Sequence, residues 1–443
     1  MTAPPANPSA ADALAVASTV VAAERGGDRA DVAGARSEAR RGRPIHLLVF
    51  TSLYPNGAQP GHGVFVEERL RHLVASGRIA ATVVAPVPWF PFRHRAFGAY
   101  ATFAAVPKRE TRHGIRILHP RYPVIPKLGM NMTPSLMYRA LLPVVRQLIA
   151  ENPDVDLLDA HYFYPDGVVA ARLGMAIGKP VVISARGSDI TWIPRFPRAR
   201  RQIQRAAESA AALITVSQAL KDSLVGLDVD AGKITVLRNG VDLERFAPRD
   251  RAVLRSKCGV QGPVWLTVSH LVELKGIDIV IQALAKVPEV TLLIAGKGPQ
   301  EQALRQLAER LGLSARVRFL GAIPHAELCD CYNVADAMVL ASSREGMPNV
   351  VLESIACGTP VLATAVGGVP EIVTVPEAGE LMHERQPEAL AMAWRRLRER
   401  QPDRVATRRF AETLGWRPVV EAQSALYARV LSAAVRPTTG STP

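Results

Sequence analysis

The chain has 443 residues, 48% apolar and 21% charged, which fits a globular protein of two or three domains. That composition excludes a chain disordered throughout, a collagen and a small disulfide-stapled scaffold. Lys and Arg outnumber Asp and Glu by 54 to 40, a formal charge of +14, and only nine of the 54 are Lys. Arginine-borne charge suits phosphate, anionic lipid or polyanion partners, and equally an Arg-rich genome. Cys258, Cys329, Cys331 and Cys357 lack zinc or redox spacing and read as buried, reduced thiols, and with them a cytoplasmic compartment. No apolar run reaches the roughly 20 residues of a membrane span. Leu14–Ala23 abuts Asp12 and has no positive segment before it, so a signal peptide is not expected.

Residues 1–43 are Ala-, Arg- and Pro-rich without periodicity and are expected to be a disordered extension. Apolar runs at Ile45–Phe50, Ala80–Ala85, Val155–Ala160, Val181–Ser184, Leu213–Val216 and Ile234–Leu237 then read as strands. Amphipathic stretches at Val64–Ala75, Leu136–Ala150 and Ala199–Ala210 read as the helices between them. The rhythm stops at Phe246–Gly262 and restarts with strands Val264–Val268, Val290–Ala295, Arg316–Leu320, Ala337–Leu340 and Val361–Thr364. Near-continuous apolar strands alternating with helices predict an α/β architecture of two Rossmann-like, doubly wound domains facing each other across a cleft. The expected boundaries are 44–245, a linker at 246–262, 263–412, a helix within 413–435 that docks on the first domain or across the cleft, and a disordered tail at 436–443.

The segment Ala337–Pro370 carries the most chemistry. A strand end, a polar loop at Ser342–Gly346 and Pro348 at the first helical position place unsatisfied amides near Asn349–Val351 at the positive end of a helix. That is a site for an anion, and a diphosphate suits it. Glu345 precedes the turn, and Glu353 lies one helical turn after Asn349. Alone, the acids read as a dipole-complementing residue and a solvated one; together they suit hydroxyl donors on either side of a phosphate.

Glu345-x7-Glu353, in the setting REGMPNVVLESIACGTPVLATAVGGVPEIV, resembles the signature of family-4 retaining glycosyltransferases of the GT-B type, a class that builds exopolysaccharide and cell-envelope glycans. The resemblance runs from about Arg43 to the C-terminal helix. It implies that Glu353 holds the donor ribose, Glu345 the transferred sugar, and Gly346, Asn349 and Val350 the sugar and diphosphate through backbone amides. Lys275, at a strand end before Gly276, then neutralises the diphosphate. His270 stands where the family usually has Arg, a departure that weakens one diphosphate contact. Gly296 and Gly298 match the family's Gly-x-Gly-Pro near the nucleotide, and also a plain strand-to-helix turn.

In the first domain, Gly61, His62 and Gly63 form a loop that by resemblance faces the diphosphate and acceptor. Arg186, Gly187 and Asp189 match the family's His-Gly-x-Asp turn with Arg replacing His. Arg186 is placed to bind a phosphate; Asp189 is a catalytic candidate, or a residue that orients Arg186 or caps the turn. His161 ends a neighbouring strand as an acceptor-side candidate. Asp154-Val-Asp156 and Asp228-Val-Asp230 match D-x-D but lie away from cleft-facing strand ends. No metal and no cofactor are expected, the nucleotide sugar being a co-substrate. Basic residues (Arg93, Arg95, Lys127, then Arg195–Arg205) interleave with Trp89, Phe90, Phe92, Phe97 and Tyr100, which suits an anionic membrane surface or a solvated face.

The resulting expectation is a cytoplasmic, retaining, metal-independent hexosyltransferase acting on a glycan or lipid-linked acceptor, at the inner face of the membrane, with no nucleic-acid partner. The alternatives are an epimerase or glycan phosphorylase of the same fold, and an inactive relative that binds membrane or polyanion.

Overall fold

The computed structural model describes residues 43–92, 94, 98–124 and 129–435. The expected extension at 1–43 thus lies, apart from Arg43, outside the described residues. So do Arg93, Arg95, Phe97, Lys127 and the tail 436–443.

Ile45–Phe50 is apolar at every position but His46 and forms a strand inside an eight-stranded sheet. Spatially the order is Ile234–Val236, Ala212–Thr215, Val181–Ala185, Val155–His161, Ile45–Phe50, Ile79–Val84, Ile115–Leu118 and Arg109–Arg112. All neighbours are parallel except the last, which turns back antiparallel. The hairpin was not legible in the sequence because RETRHGIRIL alternates charged residues with only a few apolar ones, the pattern of a partly solvated edge.

The second sheet is wholly parallel, in the order Val317–Gly321, Thr291–Ala295, Val264–Val268, Ala337–Leu340, Val361–Thr364 and Gly379–Met382. This order of third, second, first, fourth, fifth and sixth strand reverses direction between Val264–Val268 and Ala337–Leu340. Ligands of doubly wound sheets bind outside the carboxyl ends at that reversal. The loops leaving those two strands carry Lys275 and Glu345.

Residues 246–262 are not a free linker. Asp250 caps the helix Arg251–Cys258 by accepting from the Val253 amide at 3.1 Å. Arg251 and Arg255 both bind Asp336, fixing the segment to the second sheet. The polar composition that suggested a linker is the outer face of this helix. The helix Trp416–Val435 returns to the first domain, where Val420, Leu426, Tyr427, Val430 and Leu431 complete a core with Leu47, Val49 and Leu70. Another core runs continuously from Leu48 and Phe50 through Val216 and Met347 to Val264 and Leu266, so the two sheets share apolar contact. Of the cysteines, Cys329 and Cys357 are buried, Cys331 is half-buried and Cys258 is exposed, which corrects the expectation of four buried thiols.

Candidate functional site in the interdomain cleft

The strand Ala337–Leu340 ends in the loop carrying Glu345 and Gly346, and the helix Asn349–Ala356 follows with Pro348 as its capping residue. The helix thus starts one residue later than its sequence suggests. No side chain among the described residues caps it, so its first amides keep their donor capacity at the positive end of the helix. Two glycines make the loop possible. A Cβ on Gly367, which has φ 55°, would lie 1.8 Å from the Glu345 carbonyl. The Gly368 amide donates to the Gly346 carbonyl at 3.0 Å.

Lys275 Nζ lies 2.6 Å from Glu345 Oε1. Both come from the reversal point of the second sheet, 70 residues apart in sequence. A cavity of about 330 Å3 opens beside them, lined by His270, Lys275, Glu345, Gly346, Asn349 and Val350 from one domain and by Phe65, Arg186 and Asn239 from the other. An adjoining cavity adds Tyr162, Ser188 and Arg344. The domains touch closely here: Asn239 Nδ2 donates to Asn349 Oδ1 at 2.7 Å, and Arg238 pairs with Glu371 at 2.9 Å.

Glu353 follows Asn349 by one turn on the helix Asn349–Ala356, as expected, but its carboxylate is taken up by protein groups. Asn349 lines the cavity; Glu353 is buried nearby, with Oε1 2.9 Å from His325 Nε2 and Oε2 accepting from Tyr332 at 2.8 Å. Burial works against the His325 cation, but the bond to Glu353 and the charges of Glu353 and Glu68 outweigh it and raise the pKa. Arg245 Nη1 lies 3.2 Å from His325 Nδ1 and pairs with Glu68 at 2.8 Å, so a line of polar and charged groups links Glu353 to the first domain. His325, Tyr332 and Arg245 were missed because no local motif marks them; only folding brings them to Glu353.

Asp189 is wholly buried, and its carboxylate accepts from the amides of Phe163, Arg186 and Gly187 at 2.7–3.2 Å. Burial raises its pKa, and those bonds only partly offset the effect. This corrects the catalytic expectation: Asp189 holds the turn that presents Arg186. His161 is also corrected, being buried instead of open to the cleft. Its Nε2 lies 3.0 Å from Asp159, its Nδ1 meets Arg186, and burial lowers its pKa.

His62 turns its Nε2 to the Ser52 carbonyl at 3.1 Å and does not line the cavity. Gly61 is exposed with open space around it, whereas Gly63 is left-handed at φ 72° and pressed against Leu53. That packing aims the helix Val64–Ala75, and hence Phe65, at the cleft. Gly296 and Gly298 are also packing glycines, since a Cβ on either would strike the backbone of Ser269 or Leu271. They support the loop carrying His270 instead of lining the cavity. Asp156 pairs with Arg43 at 2.8 Å, and Asp230 caps a short turn, so neither D-x-D faces the cleft. Glu68, His72 and Asp242 do gather ligand atoms within 4.8 Å, a cluster that sequence spacing did not reveal. Arg71 and Arg245 already neutralise Glu68 there.

Comparison with known proteins agrees with this geometry. The family described as Glycosyl transferases group 1 matches residues 255–413, and Glycosyltransferase Family 4 matches residues 60–245. The putative teichuronic acid biosynthesis glycosyltransferase TuaC of Bacillus subtilis is 30% identical over 335 residues, covering 73% of this chain and 82% of that protein. A D-inositol 3-phosphate glycosyltransferase of Mycolicibacterium gilvum is 33% identical over 240 residues, covering 52% and 54%. Among solved structures, sucrose-phosphate synthase of Thermosynechococcus elongatus superposes with a TM-score of 0.72 at 22% identity, covering 88% of this chain and 100% of that one. Anabaena HepE in complex with UDP-glucose gives 0.66 at 23%, covering 88% and 99%. With two parallel-sheet domains, the Lys275–Glu345 pair at their cleft and these matches together, the chain belongs to the family-4 glycosyltransferases of the GT-B fold.

Proposed function

We propose that this glycosyltransferase moves a hexosyl unit from a nucleotide-diphosphate sugar to a glycan or lipid-linked acceptor of the cell envelope, with retention and without a metal. The observation that carries this reading is Lys275 beside Glu345 at an uncapped helix start inside the interdomain cavity. Negative charge grows on the departing diphosphate, and fixed donors aimed at it lower the barrier. Lys275, the amides near Asn349 and Val350, and His270 supply those donors from one wall. Glu345 accepts from hydroxyls of the transferred sugar, and Glu353, held by His325 and Tyr332, from the ribose. No side chain of this chain is cast as a nucleophile; the leaving phosphate takes the acceptor's proton on the face from which the acceptor attacks. The UDP-glucose bound by HepE and the teichuronic acid role of TuaC support the donor and acceptor classes.

The test is a thermal shift against UDP-, GDP- and ADP-sugars. A ligand at 100 times its Kd stabilises the fold by about 2.7 kcal/mol, and one nucleotide series is expected to stand out. Glu353→Gln should weaken that nucleotide about tenfold or more, because it removes a charged acceptor. Absence of any shift in the wild type overturns the reading, and the anomer formed, read by NMR, decides retention.

A surface beside the cleft supports a lipid-borne acceptor. Trp192 and Phe196 are each 40% exposed and stack edge to face at 5.2 Å, next to exposed Arg195, Arg198, Arg201 and Arg205. No helix among the described residues is long and apolar enough to cross a membrane, so this patch would act at the lipid surface. Each Arg near anionic lipid contributes roughly 1 kcal/mol. Co-sedimentation with phosphatidylglycerol vesicles is expected and should fall at least tenfold in Arg198→Glu/Arg201→Glu; equal binding by that variant would exclude the patch.

A further inference from the structure

Arg186 is a cation in the wall of the cavity with no directly paired carboxylate among the described residues. The residue is 9% exposed and lines both parts of the cavity. Its Nη1 lies 3.4 Å from Asn239 Oδ1, its Nη2 meets His161 Nδ1, and its buried Nε has no hydrogen-bond partner among the described residues. The Phe65 ring lies 5.7 Å from the guanidinium carbon. Both polar partners are neutral groups. Since Arg186 donates to His161 Nδ1, the ring carries its proton on Nε2, which faces Asp159 at 3.0 Å. An imidazole therefore stands between the guanidinium and that carboxylate.

The surrounding carboxylates attract it, but none forms an ion pair with it among the described residues. Arg69, wholly buried, adds a second guanidinium that repels Arg186, and Asp159 attracts both. Asp189 also attracts Arg186, but its carboxylate oxygens are bonded by backbone amides and not by the guanidinium. Tyr427 is held uncharged by burial. Across the cavity Lys275 and Glu345 neutralise each other. Burial lowers the Arg186 pKa only to about 10, so the group stays charged at neutral pH. A buried guanidinium without a carboxylate is costly unless an anion joins it, and its planar fork suits a carboxylate or phosphate.

We propose that Arg186 is a specificity-determining anion site, receiving an oxyanion of the substrate from the first-domain wall of the cleft. The oxyanion is either the donor diphosphate or a carboxylate on the transferred sugar, as in a hexuronate. The proposal rests on the nucleotide-sugar reading above and adds to it the charge class of the substrate at this wall.

Calorimetry of the full chain decides it, using the nucleoside diphosphate that shifts the wild type most, alone and as its hexose and hexuronate conjugates; for uridine these are UDP, UDP-glucose and UDP-glucuronate. If the diphosphate is the source, Arg186→Gln weakens all three at least tenfold. If the sugar carboxylate is the source, UDP binds as before, and the wild type's preference for UDP-glucuronate over UDP-glucose disappears in the variant. Asn239→Asp keeps the guanidinium but sets a carboxylate on Nη1, and should reproduce either loss even where Arg186→Gln folds poorly. Binding of all three probes within twofold of wild type in both variants, while Glu353→Gln still weakens UDP, overturns the anion site and leaves the transferase reading standing. Absence of nucleotide binding by the wild type overturns both.

Discussion

Lys275→Ala is expected to lower kcat by about 100- to 1,000-fold, the usual effect of removing one preorganised donor from a developing oxyanion. The contact at 2.6 Å to Glu345 makes the interpretation separable. Glu345 is only 10% exposed at its side chain, so losing Lys275 also leaves a largely buried carboxylate unpaired. That costs roughly 1–3 kcal/mol, a Tm loss of several degrees for a domain of this size. The double variant Lys275→Ala/Glu345→Gln removes the orphaned charge and should recover most of the Tm while turnover stays low. Turnover in the single variant within tenfold of wild type, measured at saturating donor, would show that Lys275 serves only to neutralise Glu345.

Gly346→Ala should be nearly as damaging by a different route. A Cβ at this position would sit 2.1 Å from the Arg186 carbonyl oxygen and 3.2 Å from Gly187 Cα, both backbone of the opposite domain. Neither can yield as a flexible side chain would, so the walls of the cleft must part. Misplacement by about 1 Å costs on the order of 100-fold in rate, and a loss of that size in kcat/KM is expected. Because the apolar core runs continuously between the domains through Met347, parting them also costs stability, and Tm is expected to fall along with activity. Gly61→Ala is the control: that position is exposed and a Cβ there meets nothing within 4 Å. Activity of Gly346→Ala within threefold of wild type would mean that the cleft works in a more open arrangement.

These predictions draw on different depths of legibility. The Pro348 helix start, Glu345 and Lys275 could be read locally, because a strand end, a polar loop, a helix start and a Gly-Pro stop each leave their mark within a few residues. The glycines at 367 and 368 were visible too, but their purpose was not: they let the Glu345–Gly346 backbone pass at contact distance. Asp189 and His161 show where such reading fails. A polar residue at a strand end can face the cleft or turn inward to satisfy amides and buried charge, and the two outcomes share one sequence pattern.

By itself the sequence determined the two α/β units, the strand-end position of the turn before Pro348, and the pairing of an acid with a helix start. Alternation of apolar runs with amphipathic stretches and the short-range demands of turns are local constraints, and they survive without knowledge of the partners. Only the tertiary structure decided that Lys275 closes on Glu345, that His325 and Tyr332 occupy Glu353, and that Arg186 enters the cleft backed by an imidazole. Those contacts join residues 21 to 70 positions apart. Their energies depend on burial and on which charges lie opposite, quantities that exist only once the two sheets have been brought face to face.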